Sequence, residues 1–186
     1  MYYLYAVKTY EPRNAQESAD KANMLRLFEL FPDNILLRQN KVAHITSSGF
    51  ILNHAHDKVL FVYHNIYKSW SWTGGHADGN GDLLQVAVRE AKEETGLTDV
   101  RPMDGKLAAI DILPVKSHWR HGKFVSAHVH LNLTLFLEAD DREPLKGNPG
   151  ENQGAAWLPL FSLNLFSTEP HMHEIYQKLV HHVPSV

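Results

Sequence analysis

The sequence predicts an α/β fold, and three observations carry that prediction. Residues 83–95 set Leu84, Ala87, Val88, Ala91 and the methyl of Thr95 at helical spacing, so one side of a helix is apolar. Residues 125–138 alternate instead. Val129, Leu131, Leu133, Leu135 and Leu137 point one way, while His128, His130, Asn132, Thr134 and Phe136 point the other, which is the period of a strand. Residues 44–53 and 58–64 read as two further strands joined by a turn at 54–57, so helix and strand patterns are interleaved along one chain.

From the N-terminus, residues 2–10 alternate aromatic and smaller side chains and predict a short strand or arm. Residues 15–31 predict a helix with Ala19, Ala22, Leu25 and Phe28 on one face, stopped by Pro32. We therefore expect residues 1–42 to form an extension and residues 43–186 to form the main globular unit. After the hairpin, Trp70-Ser71-Trp72 leads into the loop Thr73-Gly74-Gly75-His76. The helix of 83–95 then opens on Asp82, a good N-cap, and closes on Gly96, where a left-handed residue ends it. A strand is expected over 106–115. A polar, basic loop follows at 117–123, with His118, Trp119, Arg120 and Lys123, before the long strand. Residues 139–154 are acidic, then rich in Gly, Pro and Asn, and predict a long loop. Pro170 opens a final helix through Met172, Ile175, Tyr176 and Leu179.

Composition limits the function classes. The 186 residues suffice for one domain with a full core. A net charge of −3 provides no broad basic field for nucleic acid or an anionic membrane. The absence of cysteine excludes disulfides, thiolate metal sites and cysteine nucleophiles. No apolar run is long enough to span a bilayer, and the first residues lack the pattern of a secretion signal, so a cytoplasmic protein is expected. Histidine is frequent, at thirteen. No His-based transition-metal centre is expected, because spacing alone brings no three of them together. His128 and His130 differ in sharing one face of a strand, where they could line a cleft.

The acidic stretch carries the chemistry. Glu90, Glu93 and Glu94 fall three and four positions apart and stack along one helix face, where they repel one another. A divalent cation relieves that repulsion, and carboxylates with substrate phosphates are the ligands that Mg²⁺ prefers. Gly74-Gly75 permits a tight turn whose backbone can approach such an ion closely. A solvated acidic face paired with Arg89 and Lys92 is the plain alternative. The double glycine, Arg89 and the closing Gly96 favour a metal and diphosphate site.

The stretch from Gly75 to Leu97 resembles the signature box of the Nudix hydrolases. Gly75, Arg89, Glu90, Ala91, Glu93, Glu94, Gly96 and Leu97 stand at matching positions, while Gly81 stands where the box has its first Glu. The resemblance spans roughly residues 43–165. It implies an α/β/α sandwich with a mixed sheet, and a Mg²⁺- or Mn²⁺-dependent pyrophosphohydrolase acting on a nucleoside diphosphate linked to another group. On that reading Glu90, Glu93, Glu94 and the Gly74 carbonyl hold metal. One glutamate of the helix, or Glu151 in the long loop, is the base, and Arg89 orients the acids. His128 and His130 contact substrate, and Arg120 and Lys123 grip distal phosphates. Homodimers are common in the family, and the partner is a small-molecule nucleotide. A catalytically silent, nucleotide-binding or regulatory Nudix-like domain is the alternative, which the three retained glutamates oppose. The isopentenyl-diphosphate isomerases of this fold resemble enzymes that need a cysteine, which is absent here.

Overall fold

In the computed structural model, Met1, Tyr67, His121, Glu151, Ser185, Val186 and the side chain of Arg120 lie outside the described residues. The chain opens with two helices, α1 (Tyr3–Thr9) and α2 (Ala15–Leu30). The first corrects the strand expected over 2–10. Tyr3, Ala6, Val7 and Tyr10 recur at helical spacing and are buried, and the Tyr3 ring packs edge-on against Phe28 of α2 at 5.1 Å. Helix α2 begins where Asn14 caps it, its side chain accepting from the Glu17 amide at 2.8 Å.

The strands β1 (Ala43–Leu52), β2 (Lys58–His64), β3 (Ser69–Ser71) and β4 (Thr73–His76) precede helix α3 (Leu83–Thr95). Then come β5 (Arg101–Val115), a short hairpin of β6 (His118–Arg120) and β7 (Lys123–Val125), and the long β8 (His128–Glu138). Strand β9 (Asn152–Pro159), a 3₁₀ segment (Leu160–Leu165) and helix α4 (Pro170–Val180) complete the described chain. The polar loop expected over 117–123 is thus the β6–β7 hairpin.

One seven-stranded sheet runs β3-β2-β1-β8-β5, with β4 joined to β1 and β9 joined to β2. Strands β1 and β8 are parallel and their other partners antiparallel, so the sheet is mixed. The expected hairpin of β1 and β2 is brief. They pair only at Ile51–Leu60 and Leu52–Val59, and β4 takes the earlier part of β1, from Thr46–His76 to Gly49–Thr73. Strand β1 is buried along its whole length, having neighbours on both edges and layers on both faces.

The alternation of β8 sorts the two faces as its sequence predicts. Leu131, Leu133, Leu135 and Leu137 join Ile45, Leu83, Ala87 and Ala91 in one core with residues of α1 and α2. Phe136 and Phe50 face the other way and pack with Phe61, Trp72 and Tyr176 under α4. The result is a three-layer α/β/α arrangement. No helix among the described residues is long and apolar enough to cross a membrane.

Candidate active site

Helix α3 is held at both ends by local chemistry. The Asp82 carboxylate accepts from the Gln85 amide at 3.3 Å, and Gly96, at φ 75°, closes the last turn by donating its amide to the Lys92 carbonyl at 2.9 Å. The buried stripe centres on Leu83, Val86, Ala87 and Ala91, a rotation from the one expected, with Leu84 and Val88 only partly buried. The Ser47 hydroxyl of β1 donates to the Leu83 carbonyl at 2.8 Å and ties the start of the helix to the sheet.

That rotation sets the environment of the acids. Glu93 is exposed, Glu90 is half-buried and Glu94 is only 6% exposed, so Glu94 does not face open solvent as its place in an acidic run suggests. Its carboxylate accepts from the Gly74 amide at 3.3 Å. Glu90 lies against Gly75 so closely that a β-carbon there would overlap its carboxylate, and Arg89 donates to Glu90 at 2.6 Å. A β-carbon at Gly74 would lie 2.6 Å from the Ser48 hydroxyl oxygen and 2.8 Å from the Ser47 carbonyl oxygen. Both glycines are therefore required by close approach: one packs against β1, and the other leaves the space that the Glu90 carboxylate fills. Gly74 and Gly75 form no turn but lie within β4, paired with Ser48 and Ser47 of β1, and two hard-oxygen groups, Glu90 and Glu94, meet that stretch of strand, a donor set that fits a Mg²⁺-type cation.

Gly81, at the position of the box's first Glu, touches the N-terminal segment. The Tyr3 amide donates to the Gly81 carbonyl at 3.2 Å, and a β-carbon on Gly81 would meet the Tyr2 ring at 3.2 Å. Asp78 is engaged elsewhere, in a two-point pair with Arg38 whose Nε donates at 2.7 Å. That hydrogen-bonded guanidinium holds the Asp78 carboxyl below its ordinary range.

The loop expected over 139–154 ends earlier, since β9 begins at Asn152, and both the loop and the first residue of β9 fasten onto the end of α3. The Lys146 amide donates to the Thr95 carbonyl at 2.7 Å, and the Asn152 side chain donates to the Glu94 carbonyl at 3.0 Å. Asn152 is buried, and a hollow of about 370 Å³ lies beside it, lined also by Asn65, Pro149 and Gln153. Sequence reasoning missed Asn152, since one Asn in a Gly/Pro/Asn-rich loop carries no distinguishing signal. Glu151 lies outside the described residues. Lys123 is exposed on the β6–β7 hairpin and pairs in register with Arg120, beside the exposed rings of Trp119 and Phe124.

His128 and His130 project from the face of β8 opposite the leucines, away from the core that α3 joins. There they meet two histidines that the sequence did not single out. His44 lies opposite His130 in the β1–β8 register, and His76 ends β4. The nitrogens of His44, His76 and His130 lie within 4.8 Å of one another, which corrects the expectation that no three histidines converge. Strand pairing, not spacing, brings them together. Burial, followed by the charges of His76, His44 and His128, holds His130 far below its usual pKa, and burial likewise lowers His44. Further along the same face, Thr46 and Ser48 donate to the Asn132 side-chain oxygen at 2.9 and 2.8 Å, which satisfies these buried polar groups.

The NUDIX domain family matches residues 43–179. A probable DHNTP pyrophosphohydrolase of Lactococcus lactis subsp. cremoris (strain MG1363) is 24% identical over 147 residues, covering 78% of this chain and 81% of the relative. Among solved structures, the Nudix hydrolase RenU of M. smegmatis superposes with a TM-score of 0.56 at 15% identity, covering 77% of this chain and 89% of that one. The dihydroneopterin triphosphate pyrophosphohydrolase of E. coli gives 0.53 at 16% identity, with 73% and 94% covered, and an Ap4A hydrolase of C. elegans gives 0.53 at 18%, with 72% and 93% covered. At such identities the structural likeness establishes the fold, while the match over residues 43–179 establishes the family. The chain belongs to the Nudix family.

Proposed function

We propose that this enzyme hydrolyses the P–O–P bridge of a nucleoside diphosphate linked to a second group, in a site built by Glu90, Glu93, Glu94 and the Gly74-Gly75 stretch of β4, with Mg²⁺ or Mn²⁺ as cofactor. The observation that carries the reading is the convergence of Glu94 and Glu90 on those two glycines. A divalent cation bound there would neutralise phosphate oxygens and lower the pKa of an attacking water. The protein supplies the placement. Glu94 is fixed by burial and by the Gly74 amide, and Glu90 is held by Arg89. Glu93, on the exposed side of the same turn of helix, is the carboxylate freest to exchange between a metal and a water proton.

The hollow beside Asn152 adjoins the end of α3 and is of a size to take part of a small ligand. The name of the L. lactis relative directs attention to pterin triphosphates, and that of the C. elegans protein to dinucleoside polyphosphates. The test is a panel of nucleoside triphosphates, dihydroneopterin triphosphate, ADP-ribose, nucleotide sugars and dinucleoside polyphosphates, each assayed with Mg²⁺, with Mn²⁺ and with chelator. Metal-dependent release from at least one diphosphate is expected. Turnover that persists undiminished in chelator, or is unchanged in Glu94→Gln, would refute the assigned site.

A further inference from the structure

The imidazole cluster on the opposite face of the sheet is absorbed by none of this chemistry. Rings of His44, His76 and His130 stand at centroid separations of 5.0, 4.9 and 5.1 Å, a nearly equilateral triangle, and the His128 ring stacks on His44 at 4.9 Å. Three separate strands contribute the triangle: β1, β4 and β8. From the convergence of these nitrogens, and from an unpartnered buried nitrogen among them, we infer that His44, His76 and His130 form a site for a transition-metal ion, zinc by preference.

The tautomer of His44 can be read from its partner. Its Nδ1 lies 3.0 Å from the Asn40 carbonyl oxygen, which can only accept, so Nδ1 carries the proton. The lone pair is then on Nε2. That atom is buried, in a residue only 3% exposed, and has no hydrogen-bond partner among the described residues. A lone pair in such a place is costly unless something binds it. A carbonyl acceptor behind a ligating imidazole is also the usual outer-shell arrangement at metal sites, since it fixes the ring and raises its basicity.

Distances and ligand type select the ion. Two Zn–N bonds of about 2.0–2.1 Å at the tetrahedral angle hold their nitrogens about 3.4 Å apart, so nitrogens within 4.8 Å of one another share one ion after the rings close by up to about 1.4 Å. Neutral imidazole suits zinc and its neighbours, whereas Mg²⁺ prefers oxygen. Three histidines leave a fourth position open. His76 and His130 are only half-buried, so water or a ligand oxygen can complete the shell. His76 lies two residues from Gly74 on β4, so the nitrogen site and the carboxylate site are neighbours of opposite preference.

The inference does not depend on the pyrophosphohydrolase reading, and its test measures binding alone. The full chain, stripped with chelator, is titrated with Zn²⁺ against a chromophoric zinc chelator in excess Mg²⁺, and separately with Co²⁺ followed by visible absorption. One zinc per chain and a tetrahedral Co²⁺ band are expected. Losing an outer-shell partner already costs about 10–100-fold in metal affinity, so His76→Ala and His130→Ala should each cost roughly 100-fold or more. Glu93→Gln should leave zinc affinity unchanged. Circular dichroism checks the fold of each variant, and if His130→Ala does not fold, the half-buried His76→Ala carries the test. Absence of tight zinc, zinc retained in full by folded His76→Ala (the surface histidines of α4 then being its source), or zinc lost with Glu93→Gln would each overturn the site.

Discussion

Gly75 is the residue on which the carboxylates depend most directly. Because the Glu90 carboxylate fills the space of a side chain there, Gly75→Ala should push the far end of that flexible side chain aside and leave the backbone in place. We expect turnover to fall while the melting temperature stays within a few degrees of wild type, read by steady-state kinetics beside a thermal melt. A fully active Gly75→Ala enzyme would show that Glu90 can be misplaced without consequence. Glu94→Gln keeps an acceptor for the Gly74 amide but removes a negative charge. Its kcat should drop at least about 100-fold, close to 2.7 kcal/mol of barrier, with the fold intact. Asp82→Asn, by contrast, still caps α3, and should keep most activity and cost less than about 0.5 kcal/mol. Loss of activity in a stable Asp82→Asn protein would make Asp82 a metal ligand in place of the missing Glu at Gly81.

At the scale of elements, α3 is set by two neighbours that touch it from opposite directions. Strand β4 meets its acidic face, and its C-terminal carbonyls are held by Lys146 of the long loop and Asn152 at the start of β9. Gly96 is where the two constraints meet. It is left-handed, and a β-carbon there would stand 2.8 Å from the Lys146 β-carbon. Gly96→Ala therefore combines backbone strain with a clash against the anchored loop, and should cost about 1–3 kcal/mol in denaturant unfolding. Because Asn152 and Glu94 share that end of the helix, kcat should fall as well. A Gly96→Ala protein of wild-type stability would show that the loop yields freely.

Over the whole molecule, the two N-terminal helices and α4 are sewn together at the β5 edge. Asp20 accepts from the Ile112 amide at 2.9 Å and Arg13 donates to the Ala108 carbonyl at 2.5 Å, so α2 covers an edge that would otherwise be unpaired. Lys178 of α4 reaches Asp111 at 2.6 Å and Glu17 of α2 at 3.0 Å, and both carboxylates are fully buried. Burial pushes the Asp111 carboxyl up, the sign of a charge kept from water. Lys178→Met leaves two buried carboxylates without their cation, and a loss of about 3–5 kcal/mol is expected by chemical denaturation. A loss under 1 kcal/mol would mean that the carboxylates take up protons or water at little cost.

The sequence by itself determined what depends on short spacings. The capped and glycine-closed α3, the alternation of β8, the proline-opened α4 and the trio Glu90, Glu93 and Glu94 are all written within a few turns of helix or a few residues of strand, where geometry is periodic. The helix at Tyr3–Thr9 was legible in the spacing of Tyr3, Ala6, Val7 and Tyr10, but its aromatic alternation imitated a strand until packing on Phe28 decided the matter. Tertiary structure alone decided that Glu94 is buried while Glu93 is exposed, because that depends on which side of α3 meets β4. It alone set Tyr2 against Gly81, and placed His44 and His76 beside His130. Those meetings join residues far apart in the chain through strand register, and no local pattern encodes which strand will lie next to which.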